Sequence, residues 1–121
     1  MTVQTLSQRA LAQGFAEQIE GIGEVSVHRY FGGAGLRAGG IQFGLVMKGV
    51  LYLKVDDNSR QAFEALECAP FRYSGASGQV TVAAYYEAPD VILDDADALS
   101  AWALRAHRAA RPARKDAGVY A

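Results

Sequence analysis

Cysteine is almost missing from this sequence: Cys68 stands alone among 121 residues. A single thiol excludes an internal disulfide framework and any metal site built from several cysteines. Its place beside Ala69, Pro70 and Phe71, at an expected helix end, suits a small buried apolar residue, with a reactive thiol as the alternative. Histidine is nearly as scarce. His28 and His107 lie too far apart to form a metal motif, and each is expected at the surface or at a boundary. No apolar run approaches the roughly 20 residues that span a bilayer. The opening MTVQTLSQRALAQGF lacks the basic start and apolar block of a secretory signal, so a cytoplasmic location is the default expectation. The phosphate-cradling pattern GxxxxGK[ST] is absent. Ser74 and Ser77 sit in a glycine turn that is not a nucleophile elbow.

Net charge is also small, −1, but it is unevenly spread. Met1 to Ser100 carries 7 basic and 12 acidic residues, and Ala101 to Ala121 carries 5 basic and 1 acidic. An acidic body gives no support for a large nucleic-acid footprint. Arg105, Arg108, Arg111, Arg114 and Lys115 read as a solvated helix face with a loose end, with nonspecific phosphate contact as the alternative.

What the chain does have is a core's worth of apolar residues, half of the total, with 21% charged, enough for one ordinary domain. Leu11, Phe15, Ile19 and Ile22 recur at helical spacing and predict a helix from Leu6 to about Glu20, ended by Gly21 and Gly23. Val25 and Val27 alternate in a strand from Glu24 to Phe31. Gly32, Gly33, Gly35, Gly39 and Gly40 then predict positive φ or tight contact, and the stretch reads as a folded crossover turn, not a regular element. Ile41 to Met47 predicts a strand with Ile41, Phe43, Leu45 and Met47 on one face and Gln42, Gly44 and Val46 on the other. Lys48-Gly49 suits a two-residue hairpin into a strand from Val50 to Val55.

Asn58, answered by Gln61, is expected to cap a helix to about Glu67 with Ala62, Phe63 and Leu66 as its buried stripe. Pro70 stops it, and Phe71 to Tyr73 reads as a short extended piece. Val80 to Tyr86 predicts a strand with Thr81, Ala83 and Tyr85 facing away from Val82, Ala84 and Tyr86. Asp94 or Asp95 caps a last helix to about Ala110, packed through Leu99, Trp102, Ala103, Ala106 and Ala110. The expected class is α+β: a two-layer sandwich of mainly antiparallel sheet covered by helices, in the order α-β-β-β-α-β(-β)-α. Residues 1–110 are expected to form the domain and 111–121 a flexible tail.

Little chemistry is visible. Gly33 to Ala38 formally fits a dinucleotide-binding turn, but a strand follows it instead of a helix. An anion nest helped by Arg37 is the alternative to a purely structural turn at Gly32, Gly33 and Gly35. Asp56, Asp57, Asp94, Asp95 and Asp97 read as loop and capping residues. No catalytic residue, cofactor or metal ligand is assigned. Tyr52, Tyr73, Tyr85 and Tyr86 lie on expected sheet elements, where both cross-strand packing and partner contact stay open. With all helices on one side, a sheet face is left for a homodimer or another partner, and Arg37, Tyr52, Lys54 and Tyr85 are the candidate contacts.

Read in order, Arg29, Phe31-Gly32-Gly33, Gly35-Leu36, Phe43-Gly44-Leu45-Val46 and Leu51-Tyr52-Leu53-Lys54-Val55-Asp56 resemble the N-terminal domain of the TfoX/Sxy family, regulators of bacterial competence and DNA transformation. Arg60, Phe63, Pro70-Phe71, Tyr73, Tyr85-Tyr86, Pro89, Leu93-Asp94-Asp95 and Trp102 extend the similarity over about Phe15 to Ala110. Tyr30 departs from it, standing where the family more often has methionine. The resemblance implies a two-layer α+β domain and a coactivator-like protein acting with a transcription factor of the cyclic-AMP receptor type. Competence regulators of the family continue into a second, helical domain. The residues after Ala110 leave no room for one, so a single-domain member is expected. The leading expectation is a non-enzymatic interaction domain. Direct DNA binding, or a small-ligand or anion site at the glycine-rich turn, are the alternatives.

Overall fold

The computed structural model describes residues 7–111. The first helix, α1 (Gln8–Gln18), begins where the Ser7 hydroxyl accepts the Ala10 N–H at 3.0 Å. It buries Ala12 and Ala16, with Ile19 just past its end. Four strands follow as a meander: β1 (Val25–Tyr30), β2 (Gly33–Ala38), β3 (Ile41–Met47) and β4 (Val50–Lys54). Their three links are Phe31-Gly32, Gly39-Gly40 and Lys48-Gly49, and both residues of each link have positive φ. That is the backbone a two-residue hairpin needs to match strand twist, and it is where most of the glycine in this stretch is spent.

The segment from Gly33 to Ala38, expected as a turn, is therefore a strand paired on both sides. Of the three glycines assigned to that turn, only Gly32 lies in one, with φ 83°. Gly33 and Gly35 are inside β2 because their neighbours come close. A Cβ on Gly33 would overlap the Val46 carbonyl oxygen, and one on Gly35 would sit 2.5 Å from Gln42 Oε1. Side-chain alternation could not announce a strand whose alternate positions carry no side chain.

Beyond β4 come α2 (Asp57–Ala65), β5 (Pro70–Gly75), β6 (Gly78–Glu87), the short α3 (Asp90–Leu93) and α4 (Ala96–Ala110). The sheet order is β1-β2-β3-β4-β6-β5, antiparallel at every pair. Buried residues of all four helices join one cluster with Leu36, Phe43, Val46, Leu51, Leu53 and Tyr86 of the sheet. A second cluster, Leu45, Phe71 and Tyr85, contains no helix residue, so the helices cover one face only. The architecture is the expected two-layer α+β sandwich, with β2 and α3 as added elements.

Two irregularities change which residues face the helices. The β2–β3 register shifts between Leu36, opposite Gly44, and Arg37, opposite Gln42. The extra residue, Phe43, joins the helix-side cluster with Val46, while Leu45 and Met47 pack on the other side. The single apolar face expected for Ile41, Phe43, Leu45 and Met47 is thus divided. In β6 the pairing passes from Val82, opposite Phe71, to Tyr86, opposite Pro70. This places Tyr85 with Val82 and Ala84 in one cluster instead of facing away from them.

The cap of α2 is Asp56, not Asn58. Its carboxylate accepts the Ser59 N–H at 2.8 Å, and the Ser59 hydroxyl accepts the Asp56 N–H at 2.9 Å, so Ser59 takes the answering place expected of Gln61. Leu66, expected in the buried stripe, is 50% exposed because the helix has ended at Ala65. The bond from Ser59 holds the Asp56 carboxyl below the usual carboxylate range. A depressed folded-state pKa means that the cap contributes fully above the unfolded value of about 4 and fades as pH falls through the lower folded value. Asp56→Ala is expected to cost about 1 kcal/mol in urea unfolding at pH 7, with its difference from wild type shrinking in strongly acidic buffer. The flexible tail expected over 111–121 lies, beyond Arg111, outside the described residues.

Candidate functional site

The helix-free face is not flat. Tyr30 on β1 and Tyr73 on β5 belong to opposite edges of a six-stranded sheet, yet both line one groove. Strands repeat every 4.7–4.9 Å, so these edges would lie more than 20 Å apart in a flat sheet. The sheet instead curls, and the register jump in β6 bends the β5–β6 hairpin over the open face.

The resulting groove has a volume of about 510 Å³. Its floor and walls are Tyr30, Met47, Tyr52, Phe71, Tyr73 and Val82, with Phe31, Lys48, Arg72 and Ser74 completing the lining. The Tyr52 and Phe71 rings meet edge to face at 4.9 Å, and Phe71 lies 6.0 Å from Tyr73. Burial, then the nearby Glu87 carboxylate, pushes the Tyr52 hydroxyl pKa up, so it stays a neutral donor at physiological pH. Arg72 donates from Nε to Thr81 Oγ1 at 3.3 Å. Lys48 is exposed at the tip of the β3–β4 hairpin.

Phe31 is the unusual member. It is 84% exposed and adopts φ 46°, a left-handed conformation that a bulky residue rarely takes. Its ring stands edge-on to Tyr30 at 4.8 Å. A two-residue turn of this type favours Asn, Asp or Gly at that place, so a phenylalanine there adds strain without adding core.

Of the four candidate contacts, only Tyr52 lines the groove. Tyr85 is on the same face but only 6% exposed, with its hydroxyl accepting from Gln42 Nε2 at 3.3 Å. Burial raises its pKa. The Lys54 ammonium sits 5.0 Å from the centre of that ring. Arg37 is half-buried on β2 opposite Gln42 and is not part of the groove. The anion nest weighed as an alternative there has a different backbone to work with, since residues 33–38 are paired as a strand on both sides.

Sequence reasoning missed Phe31, Met47, Lys48, Phe71 and Arg72 as groove residues and left Tyr73 unassigned. Phe31-Gly32 was the one local signal available, as a hairpin link with the wrong residue type. The approach of β5 depends on a bulge with no sequence mark. Elsewhere His107 Nε2 donates to the Ala38 carbonyl at 2.9 Å and its ring packs near Phe43, a bridge between α4 and the sheet. Cys68 is half-buried, and burial, then Glu87 and Asp90, push its thiol pKa up, which opposes thiolate chemistry. Among the described residues, no group of three or more His, Cys, Asp or Glu is placed to hold a metal ion. None of the described helices is long and apolar enough to cross a membrane.

Among curated proteins, no relative matches the chain. The family model described as the TfoX N-terminal domain matches residues 17–110, from within α1 to the end of α4, and so takes in the whole groove. The chain belongs to the TfoX N-terminal domain family.

Proposed function

We propose that this chain is a non-enzymatic, regulatory protein-interaction domain and that the aromatic groove is its working surface. The observation that carries the reading is Phe31: a large ring, 84% exposed and held at φ 46° on the groove's lip, where the isolated fold gains only its edge contact with Tyr30. Strained backbone of this kind persists when something beyond local stability keeps it. Tyrosine and phenylalanine at a recessed site supply large contact area with few rotatable bonds, the usual anchors of an interface. A transcription factor of the cyclic-AMP receptor type is the first partner to try, in keeping with a coactivator role, and a second copy of the chain is the next.

The test is capture from native cytoplasm by the full chain, run in parallel with Tyr52→Ala and with Arg108→Ala at an exposed site of α4, followed by mass measurement of the complexes. The reading expects a defined partner that is retained by wild type and by Arg108→Ala and lost from Tyr52→Ala. Capture that is indifferent to Tyr52 but lost from Arg108→Ala would move the working surface to the helix layer. Adding duplex DNA at physiological salt to the same preparations checks whether Arg105, Arg108 and Arg111 bind it directly.

A further inference from the structure

We infer that the chain ahead of α1, residues 1–6, folds back around the end of the sheet and seats Met1 and Val3 in the aromatic groove, so that a partner must displace a segment of this same chain. The inference rests on the groove being a binding surface and adds its resting occupant.

The position of Ser7 leads there. Ser7 opens α1 beside the Phe31-Gly32 link, lining a cleft of about 610 Å³ with Arg29, Gly32 and Gly33. Next to it, Gln8 Oε1 accepts the Gly49 N–H at 2.7 Å, which ties the start of α1 to the Lys48-Gly49 link. These same two links supply Phe31 and Lys48 to the groove. The start of α1 and the lip of the groove thus share one end of the sheet, on its two faces. At Gly32 and Gly49 an added Cβ would meet nothing within 4 Å, so the way around that end is open. Six extended residues reach about 20 Å, and packed layers lie about 10 Å apart. Rounding the end of the sheet takes about half of that reach and leaves Met1 to Val3 for the groove.

The chain beyond α4 starts from the wrong end. His107, near the close of α4, bonds Ala38, at the end of β2 farthest from the Phe31-Gly32 link. The six residues of β2 put about 20 Å more in the way. Residues 112–121 also carry Arg114, Lys115 and Asp116 in mid-segment, charges that an aromatic groove would have to strip of water.

MTVQTL suits the groove without any ion pair. It carries no charge, no glycine and no proline, and its threonines and valine favour extended backbone. In that conformation Met1, Val3 and Thr5 share one side, and Thr2, Gln4 and Leu6 the other. A methionine thioether fills irregular gaps between rings and gains from sulfur–aromatic contact, and Tyr30, Tyr52, Phe71 and Tyr73 supply those rings. About 510 Å³ is room for a few side chains. A tether this short holds its own segment at the groove at an effective concentration on the order of 1 mM, so a contact too weak to join separate molecules fills the site.

The experiment compares ¹⁵N spectra of the full wild-type chain, Val3→Asp and Gln4→Asp, two variants with the same added charge on opposite sides of an extended segment. Val3→Asp is expected to shift the amides of Tyr52, Phe71, Tyr73 and Val82, all lining the groove, and Gln4→Asp only those near Ser7, Gly32 and Gly49. A fluorescent hexapeptide of sequence MTVQTL, blocked at both ends, then reports whether the groove is taken. It is expected to shift the same four amides and to bind Val3→Asp at least threefold more tightly than wild type, because an occupied groove lowers apparent affinity by the fraction left open. Groove amides that stay in place in both variants, or move equally in both, overturn the inference. Equal hexapeptide affinity for wild type and Val3→Asp overturns it as well, since the wild-type groove is then open. Groove shifts that appear only as protein concentration rises overturn it in favour of a second copy's segment. Neither readout involves another protein, so failure here leaves the proposed interaction surface standing, and failure of partner capture leaves the folded-back segment standing.

Discussion

Phe63→Ala is expected to remove about 3–5 kcal/mol of stability, a large part of what a domain of this size has. Phe63 is 2% exposed and is the only large side chain that α2 buries. Its ring meets Trp102 of α4 edge to face at 4.9 Å and lies 6.0 Å from Tyr86 of β6. Truncation therefore opens a cavity where two helices and the sheet meet. The other tie between α2 and the sheet is a surface-side bond, Tyr86 hydroxyl to Glu64 at 2.9 Å, which cannot refill that space. Urea unfolding should show the loss, and the melting temperature should fall by roughly 12 °C or more. Leu66→Ala, at a site 50% exposed one residue past the helix, should stay within about 0.5 kcal/mol of wild type. A small effect at Phe63, or a large one at Leu66, would contradict the helix boundary and the stripe it sets.

The second large effect belongs to Gly33→Ala, expected to cost about 2–3 kcal/mol. The added methyl would land on the Val46 carbonyl oxygen, which is backbone, with Met47 atoms 3.0 Å away. No rotamer relieves that overlap, so the Ala34–Val46 pairing beside it must open. Gly35→Ala is expected to cost less, about 1 kcal/mol, because the obstacle is the movable Gln42 side chain 2.5 Å away. Its displacement would release the Gln42–Tyr85 hydrogen bond and loosen the open-face cluster. The order of the two variants matters more than either value. Equal costs would mean that β2 is not held as closely to β3 as described.

These two cases also mark how far the chain could be read unaided. Helix positions came through because Leu11, Phe15, Leu99 and Ala103 repeat at a period the helix enforces, and Lys48-Gly49 announced its hairpin because positive φ has few suitable residues. Gly33 and Gly35 hid a strand because a glycine chosen for close approach looks like one chosen for a turn. Phe43 was grouped on one face with Leu45 and Met47, and a bulge that leaves the composition of β3 untouched separates it from them. Asp56 and Ser59 formed the α2 cap two residues before the expected one, since a run of Asp, Asp, Asn and Ser offers several candidates and only the geometry chooses. The groove was the least legible feature. Its tyrosines were visible as a group, but the meeting of Tyr30 and Phe31 with Phe71 and Tyr73 depends on sheet curl and on the three-residue jump in β6.

The central claim is that the groove is kept for binding at some cost to the fold, and Phe31→Asn tests it most directly. The change converts the β1–β2 link to Asn-Gly, the pair best suited to its backbone, and removes only an exposed ring and its edge contact with Tyr30. Unfolding free energy and retention of the partner captured by wild type, measured on the same preparation, should part company: stability unchanged or higher by up to about 1 kcal/mol, binding weaker by fivefold or more. A variant that is clearly less stable yet binds as well as wild type would contradict the account.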